Sequence, residues 1–142
     1  MSLVDTNRLI RDYLQMSSAT NDPLIALIGE RLYCPRLPEN CALPAIGYFT
    51  RGGNADVNVV HIFSPSVQFD CWADNPIDAR EVYRALFDAL QGLGNAAVTI
   101  DGVTYYITKA MEESHGQDLV DTEIPNRFRV LTFYSITIRD NL

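Results

Sequence analysis

Residues 67–93 read VQFDCWADNPIDAREVYRALFDALQGL and hold, in order, a strand, a helix start, an amphipathic helix and a helix stop. Val67, Phe69 and Cys71 alternate with Gln68, Asp70 and Trp72, the period of two expected of a strand with one face inward. The strand is expected to end near Ala73. Asn75 can accept hydrogen bonds from the first free amides of a helix, Pro76 needs no amide at the first helical position, and Asp78 and Glu81 sit near the positive end of the dipole. Along the helix, Ala79, Val82, Tyr83, Leu86, Phe87 and Leu90 fall on one side, with Arg80, Glu81, Arg84, Asp88 and Gln91 opposite. Gly92 can close the last turn in the left-handed conformation, with Leu93 placed for the accompanying apolar contact. The stretch is one strand feeding one packed helix, and it contains no catalytic constellation.

The rest of the chain arranges itself around this unit. Upstream, Val4 to Met16 reads as a helix capped by Asp5 or Thr6, and Asp22-Pro23 opens a short second helix that Gly29 closes. These two are expected to form an N-terminal helical hairpin. Residues 30–44, ERLYCPRLPENCALP, carry three prolines, which exclude a regular helix or a central strand and leave an extended connector. Ala45 to Thr50 is a candidate strand paired with Ser66 to Ala73, and Arg51 to Asp56 is a turn or loop. Val57 to Phe63 reads as either a short strand or part of a long loop.

Downstream, Asp101-Gly102 between Ala97–Ile100 and Val103–Ala110 is a two-residue hairpin signal. Residues 112–126, EESHGQDLVDTEIPN, contain five acids and no base before Arg127, the composition of a solvated loop. Arg127 to Arg139 alternates Phe128, Val130, Thr132, Tyr134, Ile136 and Ile138 with a second set that is also apolar around Leu131 and Phe133, so this strand is expected to be central. The expected fold is α+β: an antiparallel sheet of about four to five strands, covered on one face by helices, in a single domain spanning 1–142.

Composition narrows the function classes. The 142 residues carry 18 acids and 11 bases, a net charge of −7, with no Lys/Arg cluster, which disfavours a nucleic-acid binder. Lys109 is the single lysine, and the arginine skew suits either a partner surface or an arginine-rich codon bias. The start of the chain lacks a basic-then-apolar leader and no apolar run approaches the ~20 residues needed to span a bilayer, so a membrane partner is not expected and the compartment is expected to be cytoplasmic. Cys34, Cys41 and Cys71 are an odd set suited to a reducing compartment, and together with His61 they match no zinc spacing, so no metal and no cofactor are expected. Cys71 assisted by His61 is the best nucleophile pairing available, but Cys71 lies on the inward strand face, where a thiol acts as a small apolar group. Gly52-Gly53 lacks the helix cap and lysine of a phosphate loop. There is no Ser-His-Asp elbow, dinucleotide fingerprint or P-loop, and the chain is not expected to be an enzyme.

Four segments in this order carry a likeness: the leading helix, Pro23 to Tyr33 followed by a proline-rich stretch ending Leu43-Pro44-Ala45-Ile46, Val67 to Ala73 running into Asp78-Ala79-Arg80, and Arg127 to Tyr134. In them the chain resembles the tail-completion, or tail-to-head joining, proteins of long-tailed bacteriophages and prophages. The resemblance implies a structural subunit that forms a homo-oligomeric ring, a hexamer by expectation, at the head-proximal end of the tail. There it would end tube growth and meet the tail tube and head-completion proteins, in the virion after assembly in the host cytoplasm. It transfers no catalytic residue. Ring contacts are heterologous and use loops and sheet edges, so the expected subunit or partner contacts are Arg51, Asn54 and Asp56 in one loop and Glu112, Glu113, Asp118, Asp121 and Glu123 in the other. Acids facing a lumen would repel passing DNA, and a loop kept acidic for solubility is the plainer alternative. The competing function classes are a small-molecule-binding or enzymatic α+β domain with a site assembled from scattered residues, and an adaptor that binds a protein through a sheet edge.

Overall fold

The computed structural model describes residues 4–38, 40–55, 62–120 and 127–140. The elements are α1 (Thr6–Leu14), α2 (Asp22–Ile28), β1 (Leu32–Tyr33), β2 (Ala45–Ala55), β3 (Ile62–Ala73), α3 (Pro76–Leu90), β4 (Gly94–Ile100), β5 (Val103–Val120) and β6 (Phe128–Asp140). The strands make one sheet in the order β1-β2-β3-β6-β5-β4. Every neighbouring pair is antiparallel except β1 and β2, which run parallel.

This corrects the expected fold. The body is a six-stranded mixed half-barrel with three short helices, dominated by sheet. The extra strand comes from the proline-rich connector. Prolines bar it from the sheet interior but leave Leu32 and Tyr33 free to pair with Ile46 and Gly47 as a two-residue edge. No N-terminal helical hairpin forms either. Asn21 turns its side-chain amide back to donate to the carbonyls of Tyr13 (2.9 Å) and Met16 (3.2 Å), stopping α1. The chain then leads α2 onto α3, while α1 lies against β4 and β2. Arg8 on α1 reaches the β4–β5 turn, pairing with Asp101 at 3.0 Å.

The central unit follows local rules. Asn75 Oδ1 accepts from the Asp78 amide at 2.9 Å, Pro76 begins α3, and Gly92 adopts φ +76 beyond its end. Asp101 (φ 50) and Gly102 (φ 81) make the tight β4–β5 turn, where both residues must be left-handed. β6 is flanked by β3 and β5 and is central. Its even-numbered residues Val130, Thr132, Tyr134, Ile136 and Ile138 are buried beneath α3 with Val67, Phe69 and Cys71 of β3. Phe69 stacks on Tyr48 and meets Tyr134 edge-on, with centroids 6.0 and 5.8 Å apart.

The acid-rich run from Glu112 is a second correction. As far as Val120 it is not a loop but the far half of β5, paired with β6 out to Val120–Phe128. Register shifts between Glu112 and Ser114, and between Ser114 and Gln117, break the period of two that identifies a strand. Gly52-Gly53 likewise lies within β2, at an irregularity between Thr50 and Gly53. A Cβ on Gly53 (φ +121) would run into the Ser64 carbonyl and Pro65 Cα of β3, so only glycine fits there.

Candidate functional site

The sheet has two unlike faces, and functional side chains lie on both. Beneath α3, the bulged part of β5 folds over Tyr83. The Tyr83 hydroxyl donates to Glu112 Oε2 at 2.5 Å and accepts the Gly116 amide at 3.2 Å. Thr132 Oγ1 lies 2.8 Å from the same Glu112 oxygen and 3.1 Å from the Ser114 carbonyl, and its single proton can serve one of the two at a time. His115 Nδ1 is 3.0 Å from Glu112 Oε1 and 3.1 Å from Tyr83 Oη.

The Glu112 side chain is only 9% exposed and His115 is 75% exposed, so the imidazole lids the carboxylate from the solvent side. Burial first, and then the hydrogen bond to Glu112, push the Tyr83 phenol up to about 12. Arg80 closes the far end, pairing with Asp118 at 2.9 Å, donating to the Gly116 carbonyl at 3.2 Å and lying over the Tyr83 ring. A shallow cavity of about 310 Å³ beside it is lined by Arg80, Tyr83, Arg84, Phe87, Asp88 and His115. The chemistry of this cluster is that of a clamp: each polar group fixes the bulged strand to α3.

The opposite face is built from the odd-numbered residues of β6 and their neighbours, and among the described residues no helix covers it. Guanidinium groups lie over aromatic rings across it. Arg51 sits 4.3 Å from the Phe133 centroid and Arg139 4.7 Å from that of Tyr106, while Arg127 (5.5 Å) and Arg129 (5.3 Å) share Trp72. Between them, Ser64, Ser135 and Thr137 with Lys109 and Met111 line a notch of about 310 Å³. Ser66 Oγ donates to Glu113 at 2.7 Å at its border. Asp70 is nearly buried under the connector, and desolvation raises its carboxyl above the usual range despite help from Gln68 and Arg129.

The expected contact residues are therefore split. Arg51 and Glu113 lie on the uncovered face, whereas Glu112 and Asp118 lie on the helical side within the Tyr83 cluster. Asn54 belongs to β2, and Asp56, Asp121 and Glu123 lie outside the described residues. Sequence reading misses Tyr83, Thr132 and Gly116 as a unit. The available signal is Thr132, a polar residue on an otherwise apolar inward face, which demands a buried partner.

Cys71 is fully buried and its thiol is pushed up by that burial, while His61 lies outside the described residues. The described residues hold no group of three His, Cys, Asp or Glu placed to bind a metal ion, and no described helix is long and apolar enough to cross a membrane.

No protein-family model and no curated protein sequence matches the chain. Among solved structures, a chain of "Virion of native gene transfer agent (GTA) particle" superposes with a TM-score of 0.63 at 13% identity, covering 94% of each chain. The two share a fold along nearly their whole lengths.

Proposed function

We propose that this chain is a structural subunit of a phage-like particle, and within it the ring that ends tail growth and joins tail to head. The observation that carries the reading is the full-length fold likeness to a chain of a gene transfer agent virion. The order of sequence segments resembling tail-completion proteins supports the finer role. The side-chain arrangement fits it too, because polar groups are used to clamp strands together and much of one sheet face, outside the part the connector covers near Gly47 and Asp70, is offered outward. Assembly subunits need extended complementary surfaces more than closed cavities.

In this role the chain assembles with copies of itself, a hexamer by expectation, and meets the tail tube on one side and head-completion proteins on the other. Its site of action is the head–tail junction, it performs no catalysis, and it needs no cofactor. Removing the gene from a producing strain tests this. The expected result is tails of uncontrolled length that carry no heads, restored by supplying the gene in trans. Particles with normal tails joined to heads would overturn the reading.

A further inference from the structure

The uncovered sheet face differs in charge from the rest of the molecule. Among the described residues, Arg51, Arg127, Arg129, Arg139 and Lys109 stand on it against two acids, Asp70 and Glu113. Five bases less two acids is +3, so in a chain of net −7 the remaining sequence carries −10. A guanidinium held over a ring by cation–π attraction still has N–H donors that can grip a carboxylate two bonds at a time, although Arg129 already gives one to Asp70 at 3.3 Å. On the helical side, Ile77 at the start of α3 is 75% exposed, the most exposed large apolar side chain among the described residues, with exposed Asp74, Asp78 and Glu81 close in sequence, Glu81 also pairing with Arg84 at 3.3 Å.

We propose that the uncovered sheet face docks a second copy of this chain through the acidic start of α3, with Ile77 entering the hydroxyl-lined notch and Asp74 and Glu81 meeting the stacked arginines. The contact deepens the ring reading and rests on its self-association. Two bodies of net −7 repel in most orientations, and approach of the basic face to the acidic side is the orientation that charge favours. Basic face against basic face is disfavoured by the same argument, so the contact is head-to-tail, the type that closes into rings. The face is large enough: about four strands at roughly 4.8 Å spacing and about ten residues at roughly 3.3 Å give ~600 Å², near the lower range for one partner of a stable interface.

The test uses mass photometry of the full chain across concentration at low and high salt. Wild type is expected to form oligomers that weaken with salt. Arg51→Glu/Arg139→Glu, altering the sheet face, and Asp74→Lys/Glu81→Lys, altering the start of α3, are each expected to weaken self-association about tenfold or more. Ile77→Ala, which trims the exposed apolar side chain without changing any charge, gives an independent readout on the helical side and is expected to do the same. Mixing the two charge variants is expected to restore association, because the intact basic face of one meets the intact acidic start of α3 of the other and the two reversed surfaces are again opposite in charge.

Oligomers in the variants equal to wild type would overturn this surface and leave the ring reading standing. Wild type that stays monomeric throughout would overturn both. Wild type that is monomeric yet binds a single-stranded oligonucleotide, with binding lost in Arg51→Glu/Arg139→Glu, would assign the face to nucleic acid and overturn the proposal.

Discussion

Replacing Glu112 tests whether the Tyr83 cluster holds the far half of β5 to the body. The carboxylate accepts from Tyr83 at 2.5 Å and from Thr132 at 2.8 Å, with its side chain 9% exposed. Hydrogen bonds to a charged acceptor are worth about 1.5–3 kcal/mol each. Glu112→Ala loses two, but not their full sum. Thr132 can redirect its proton to the Ser114 carbonyl 3.1 Å away, and removing a desolvated charge returns part of what its burial costs. The net loss expected is about 2 kcal/mol, a fall in Tm of roughly 4–8 °C for a chain of this size. Glu112→Gln can keep one oxygen that accepts from both Tyr83 and Thr132 while its amide replaces the oxygen facing His115, so it loses the charge but not these two bonds and its cost is about 1 kcal/mol. Urea unfolding of both variants, with Tyr83→Phe and the double variant completing a cycle, measures the coupling, expected near 1–2 kcal/mol. An alanine variant within 0.5 kcal/mol of wild type, or a glutamine variant as damaging as alanine, would refute the reasoning.

The raised Tyr83 pKa gives a pH signature. A phenol that ionises less readily when folded contributes stability that is complete below its ordinary value near 10 and lost as pH rises through about 12, so stability should fall across that window and less steeply in Tyr83→Phe, as followed by urea midpoints. Gly116→Ala would place a Cβ 2.7 Å from Tyr83 Cζ and 2.8 Å from Val130 Cγ1, and the expected loss is about 1–3 kcal/mol by equilibrium unfolding. Tyr134→Phe should be neutral or slightly stabilising in the same measurement, because its buried hydroxyl has no hydrogen-bond partner among the described residues. Asp70→Asn should leave stability at neutral pH nearly unchanged. As pH falls into the range where the raised Asp70 carboxyl takes up its proton, wild type should gain relative to the variant, since the folded state binds that proton more readily than the unfolded chain.

What could be read from the residues is what local physics decides. Asn75, Pro76 and Gly92 fix the ends of α3, and Asp101-Gly102 fixes the β4–β5 turn, because each acts through backbone geometry within a few residues. The central place of β6 was legible because both of its faces are apolar around Leu131 and Phe133. The far half of β5 was not. Its acids are held by Tyr83 and Arg80, about thirty residues earlier in the chain, and its bulges erase the alternation that marks a strand. Two-residue β1 was beyond reach for a different reason, since so short an edge carries no periodicity at all. The arginine–aromatic face also depends on register: Arg51 and Phe133 belong to strands that are not even neighbours, and only the order β2-β3-β6 brings them together.

The make-up of that face suits the docking proposed for it. Trp72, Phe133 and Tyr106 would otherwise show bare rings to water, the kind of patch that aggregates without geometry. Capping each with a guanidinium keeps the surface wet and charged. It also makes association conditional on a partner that supplies carboxylates at matching positions, which random apolar contact cannot do. The Tyr83 clamp serves the same end from below. By tying the bulged half of β5 to α3, it holds the strand carrying Met111 and Glu113 in fixed register with β6, so the notch on the upper face keeps one shape. Loosening the clamp should therefore disturb the surface on the opposite side of the sheet before it unfolds the body.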